Sequence, residues 1–199
     1  MSLKQTPSQT VGPYFAYGLT AQQYHYPQTQ VATGTMATDQ TQGERIRIVG
    51  QVFDGQGQRI NDAMIELWQA NAAGRFNHPM DARESRALDP SFKGFGRAGT
   101  GTTPDNSFRF DTIKPGAVQQ GRAPFISVIL FMRGLPNHAY TRLYFSDEAS
   151  LNAEDPVLNK VEAARRDTLI ATRHETSTGV EYRFDIHMQG PQETLFFNF

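Results

Sequence analysis

Hydrophobic and polar residues alternate over short stretches of this chain, most cleanly from Val180 to Met188. Val180, Tyr182, Phe184, Ile186 and Met188 share one face there, and Glu181, Arg183, Asp185 and His187 share the other. A period of two marks a strand buried on one side, which predicts a half-buried antiparallel strand. Other runs suited to strands are Ile46 to Phe53, Met64 to Gln69, Phe108 to Thr112, Phe125 to Met132, Thr141 to Phe145 and Thr194 to Phe197. Asp54-Gly55, Pro104-Asp105-Asn106 and Pro115-Gly116 supply turn chemistry between several of them. Helical spacing is confined to Pro156 to about Arg165, where Val157, Val161 and Ala164 recur, with Asp155 as a cap and Pro156 in the first helical position. Residues 1–43 are rich in Thr, Gln, Pro and Gly and show little periodicity, which predicts an arm and loops. Many short strands and one helix predict an all-β fold: a two-sheet antiparallel β-sandwich over 44–199, with long loops and an N-terminal arm over 1–43.

Composition narrows the function. The 199 residues suit one domain. A net charge of −1 with mixed signs offers no electrostatic case for nucleic acid or an anionic membrane surface. No apolar run approaches the ~20 residues of a membrane span, and MSLKQTPSQT lacks the charged start and apolar middle of a secretory signal, so a cytoplasmic protein is expected. Cysteine is absent, which removes disulfides, thiolate metal sites and cysteine nucleophiles.

Candidate chemistry is sparse. His25, His78, His138, His174 and His187 form no HxH or HxxxH pair; His78 lies near Phe76, which leaves a rearranged metal site as one alternative. There is no G-x-S-x-G, and the glycine pairs Gly55/Gly57 and Gly94/Gly96 suit turns better than phosphate cradles. Arg133 ends the apolar run that starts at Phe125, either as a rim arginine in solvent or as an anion holder at an interface. On the same run Phe125, Ile129 and Phe131 are expected in the core.

Four segments in order resemble the intradiol ring-cleaving dioxygenases. They are Thr6-Pro7-Ser8-Gln9-Thr10-Val11-Gly12-Pro13-Tyr14, Ile65-Glu66-Leu67-Trp68-Gln69-Ala70-Asn71, Asp89-Pro90 with Gly94-Phe95-Gly96-Arg97, and Thr112-Ile113-Lys114-Pro115-Gly116. Phe131-Met132-Arg133-Gly134, Thr141 to Phe145 and Glu193 to Phe197 extend the likeness over nearly the whole chain. The resemblance implies a β-sandwich and a non-haem ferric centre held by two tyrosines and two histidines. The corresponding positions here hold Phe76, Val118, Phe125 and Ser127. Hard Fe(III) wants phenolate, imidazole or carboxylate donors, so no metal ligand and no catalytic residue is expected in this chain. It is similar instead to the iron-free α subunits, whose β partner carries the Fe(III) in an α–β hetero-oligomer that cleaves a carboxylated catechol with O2. The resemblance further implies that Arg133 helps bind the substrate carboxylate, that Thr10, Gly12, Pro13 and Tyr14 line the pocket formed with the partner, and that the arm docks there. A metal-free binding module without an enzymatic partner is the alternative.

Overall fold

The computed structural model describes residues 9–12 and 14–198. Among them, nine strands form one sheet: β1 (Arg45–Phe53), β2 (Met64–Trp68), β3 (Phe95–Gly99), β4 (Ser107–Ile113), β5 (Phe125–Phe131), β6 (Ala139–Phe145), β7 (Ile170–Thr176), β8 (Gly179–Arg183) and β9 (Ile186–His187). The order is β3-β2-β5-β6-β7-β8-β1-β4, with β9 beside β1. Two short helices, α1 (Phe15–Leu19) and α2 (Ala149–Glu154), accompany it.

The chain is all-β as expected, but the sheet is mixed rather than antiparallel throughout, and it nearly closes on itself. β6–β7 and β1–β8 pair in parallel. Parallel neighbours need a long crossover, and residues 146–169, with α2 and several 3-10 turns, provide it between β6 and β7. The alternating run 180–188 is therefore antiparallel only to β7 and parallel to β1. It is also interrupted: Phe184 N donates to Val49 O at 2.9 Å, and then the Asp185 carboxylate, not a backbone carbonyl, accepts from Gln51 N at 3.0 Å.

The gap between the end strands β3 and β4 is bridged by residues 33–37. Arg97 N donates to Thr33 O at 3.1 Å, Asp111 N to Gly34 O at 2.8 Å and Met36 N to Asp111 O at 2.9 Å. Only glycine fits at 34, since a Cβ there would lie 2.4 Å from Arg109 O. Ala32 and Met36 are buried, so this part of the 1–43 segment packs as part of the body.

The core lies inside the curl of the sheet. On β5 it takes Ile126, Val128 and Leu130, each at most 1% exposed, while Phe125, Ile129 and Phe131 are only half-buried on the opposite face. The expected inward face is thus corrected: the run is apolar on both parities, so periodicity could not choose. Burying each such side chain stabilises by roughly 1.5–3 kcal/mol. The helix expected at 156–165 does not form. Asp155 accepts from Val157 N and Leu158 N at 2.9 and 3.1 Å, capping a 3-10 turn instead, and Val161 is extended. That shape buries Leu158 and Val161 with Ala123, Tyr144 and Leu169 in a second, smaller cluster. The run Thr194 to Phe197 makes a single bridge to Tyr140, not a strand.

Candidate functional site

The segment Trp68 to Asn71 organises the first of two regions. Gln69 is buried and ties β2 to β4: its Nε2 donates to Ile113 O at 2.9 Å, and its Oε1 accepts from Thr112 Oγ1 at 2.9 Å. Asn71 Oδ1 accepts from Ala73 N and Arg75 N, both at 3.0 Å, which folds the 71–75 turn and delivers Phe76. Phe76 stacks on Trp68 with ring centres 5.6 Å apart, and Trp68 faces Ser127 in the β2–β5 register. Phe125 stands on the same face of β5 as Ser127, opposite Tyr144 of β6.

The structure therefore gathers Phe76, Phe125 and Ser127 around the start of β5, and Arg83 ties in Val118. The Arg83 guanidinium donates to Val118 O and, at 3.0 Å, to Gly74 O, while pairing with Asp81, whose carboxylate also accepts from Phe76 N at 2.8 Å. The hydrogen bonds from Arg83 hold the Asp81 carboxyl well below its usual range. A second guanidinium, that of Arg142, lies 4.2 Å over the Phe125 ring and reaches the Tyr144 hydroxyl. Burial pushes Tyr144 up to about 12, against the opposing bond from Arg142. The Ser127 hydroxyl accepts from Tyr140 at 2.9 Å.

These positions do not fit a ferric ion. Ring carbons, an aliphatic side chain and one engaged hydroxyl do not supply the phenolate and imidazole donors that Fe(III) wants, and the neighbouring Asp81 carboxylate is taken up by Arg83 and by Phe76 N. Among the described residues no group of three His, Asp or Glu converges. Beside Phe76 an open cleft of ≈ 760 Å³ remains, lined by Trp68, Phe76, His78, Met80 and the 81–83 turn.

The second region lies at the other end of β5. Arg133 sits two residues past the strand, in a turn where Gly134 adopts φ +91. Met64 faces Phe131 across the β2–β5 ladder; continuing that register by two residues sets Asp62 opposite Arg133, and Arg133 Nε donates to Asp62 Oδ2. The Arg133 side chain is more than half exposed. Gly134 N donates to Thr10 Oγ1 at 2.8 Å, which ties the N-terminal segment to this turn. Phe15 N donates to Gly12 O at 3.2 Å, and the Phe15 ring packs 6.4 Å from Phe131. Tyr14 is 79% exposed and its ring lies 6.2 Å from that of Tyr17, which in turn contacts Tyr24 at 4.6 Å. Thr10, Gly12, Tyr14 and Arg133 thus share one corner of the molecule; Pro13 lies outside the described residues. The structure adds Asp62, Tyr17, Arg83 and Arg142 to these regions. Tyr17 is one helical turn from Tyr14, a usable signal, whereas the other three are placed by sheet register and loop packing.

No helix among the described residues is long and apolar enough to cross a membrane. The family profile described as Dioxygenase matches residues 11–190. The chain is 51% identical over 198 residues to the protocatechuate 3,4-dioxygenase alpha chain of Burkholderia cepacia, covering 99% of this chain and 98% of that one. The protocatechuate 3,4-dioxygenase beta chain of the same organism is 36% identical over 162 residues, 76% of this chain and 67% of its own. A solved dioxygenase domain from Streptomyces sp. SirexAA-E superposes with a TM-score of 0.56 at 25% identity, covering 92% of this chain and 97% of that one.

Proposed function

This chain belongs to the intradiol dioxygenase family, and on that premise we propose that it acts as the alpha subunit of a protocatechuate 3,4-dioxygenase. The enzyme opens the ring of protocatechuate between its two hydroxyl-bearing carbons with O2, giving 3-carboxy-cis,cis-muconate for the β-ketoadipate route of aromatic catabolism. One observation carries the division of labour. The likeness to alpha chains runs the length of the molecule, while the four ligand positions hold Phe76, Val118, Phe125 and Ser127 among two guanidinium groups.

The Fe(III) belongs to a beta subunit, and when bound there it supplies the oxidative chemistry. This chain supplies scaffold and substrate recognition. Arg133, with Thr10, Gly12, Pro13 and Tyr14, forms a wall of the partner's pocket, and the N-terminal arm docks against that subunit. Support comes from the placement of Thr10 and Arg133 on one corner and from the exposed guanidinium, whose planar fork matches a carboxylate. Tyr14, Tyr17 and Tyr26 are exposed, with the other two rings clustered on Tyr17, an apolar surface of the kind that a partner covers.

Co-expression with a beta chain tests this. The two chains should co-purify, with iron in proportion to the beta chain and O2 uptake on adding protocatechuate. An active, iron-bearing alpha chain alone, or failure of the two to associate, would overturn it.

A further inference from the structure

We propose that Asp62 is a positioning residue for substrate recognition, setting the angle at which Arg133 presents its terminal amino groups. This rests on the assignment of Arg133 to the substrate carboxylate. The two residues of the pair differ in rigidity. Asp62 precedes Ala63, whose N–H donates to Thr100 Oγ1 at 3.1 Å and whose carbonyl accepts from Thr100 N at 2.9 Å; Ala63 and Thr100 are both buried. Its backbone is thus held at the end of the ladder. Arg133 stands on an exposed turn, and a free arginine there would sample many rotamers. Asp62 takes its Nε. Among the described residues no other side chain bonds the guanidinium, so its two terminal nitrogens remain to meet a second carboxylate end-on.

Stability does not explain the pair well, since an ion pair this exposed contributes little to folding. Orientation does. An arginine held in one rotamer gives up less freedom when the substrate arrives. The Asp62 charge also opposes a second anion, so positioning and repulsion predict opposite outcomes when it is removed.

The test uses the assembled alpha–beta enzyme with three alpha variants: Asp62→Ala, Asp62→Asn and Arg133→Leu. Two readouts serve: the ratio of kcat/KM for protocatechuate to that for catechol, and equilibrium binding of 4-hydroxybenzoate, a carboxylated phenol that lacks the second hydroxyl needed for cleavage. Asp62→Ala should lower the ratio and weaken 4-hydroxybenzoate about three- to tenfold. Asp62→Asn keeps an acceptor for Nε and should recover most of that loss. Unaltered or tighter binding in Asp62→Ala would overturn the proposal, and so would equal losses in Ala and Asn. If Arg133→Leu shows a selective loss while Asp62→Ala shows none, the role of Asp62 fails alone. If Arg133→Leu shows no selective loss, the assignment of Arg133 fails and takes this proposal with it.

Discussion

Thr10 Oγ1 accepts a hydrogen bond from Gly134 N at 2.8 Å. A residue near the N-terminus is thereby bonded to the residue that follows Arg133, 124 positions away in sequence. The bond makes the arm and the arginine parts of one surface, and it is a small handle with a measurable effect. Thr10→Val keeps the shape and removes the acceptor. A lost hydrogen bond of about 1 kcal/mol should raise KM for protocatechuate by a factor of about two to five in the assembled enzyme, with little change in its melting temperature. An equal fall in melting temperature and affinity would instead indicate a general loosening of the fold.

Phe76 and Phe125 serve packing. Phe76 on Trp68 and Phe125 under Arg142 are half-buried, so Phe76→Ala or Phe125→Ala should cost about 1.5–3 kcal/mol, less than the 3–5 of a fully buried ring. Chemical denaturation checks the cost. Turnover by the complex that still assembles should move less than about twofold; a large fall in kcat with intact assembly would show chemistry at these positions.

The isolated chain should bind no stoichiometric iron and remain colourless, because a ferric ion finds neither phenolate nor imidazole among Phe76, Val118, Phe125 and Ser127. Its uncovered tyrosines should make it self-associate at high concentration. Elemental analysis and sedimentation decide both points. One tightly held iron per chain would contradict the account.

Tyr144 gives a pH signature. Burial holds its pKa near 12 in the folded chain, while an unfolded tyrosine ionises near 10. A group whose folded pKa is raised stabilises fully below the unfolded value and loses that contribution as pH rises through the folded one. The melting temperature of the wild type should therefore fall more steeply between about pH 10 and 12 than that of Tyr144→Phe. Parallel curves would mean that the hydroxyl is solvated.

The legible parts of the fold were those where one physical signal dominates. β1 and β4 alternate over most of their length, and their bounds lie within one residue of the sequence patterns. β3 leaves no local pattern because Phe95–Gly99 carries two glycines and little β propensity; its five-residue ladder to β2, with the Glu66–Arg97 ion pair and residue 33 beside it, holds it as a strand. β7 went unseen because His174, Glu175 and Thr176 are exposed. At the site, motif order pointed to Arg133 and the 10–14 segment, and the structure joins Thr10 to the Arg133 turn. Asp62 was hidden, since its pairing follows from the β2–β5 register, which no local pattern encodes.

The central claim is that this chain completes its partner's pocket with a carboxylate clamp. Arg133→Leu in the assembled enzyme tests it most directly. Losing a guanidinium that faces a carboxylate in a dry pocket should cost about 2–5 kcal/mol, or roughly 30- to several-thousand-fold in kcat/KM for protocatechuate at about 1.4 kcal/mol per decade. Catechol, without the carboxylate, should react about as before. That selective loss is the predicted result; equal mutant-to-wild-type ratios of kcat/KM for the two substrates would contradict it.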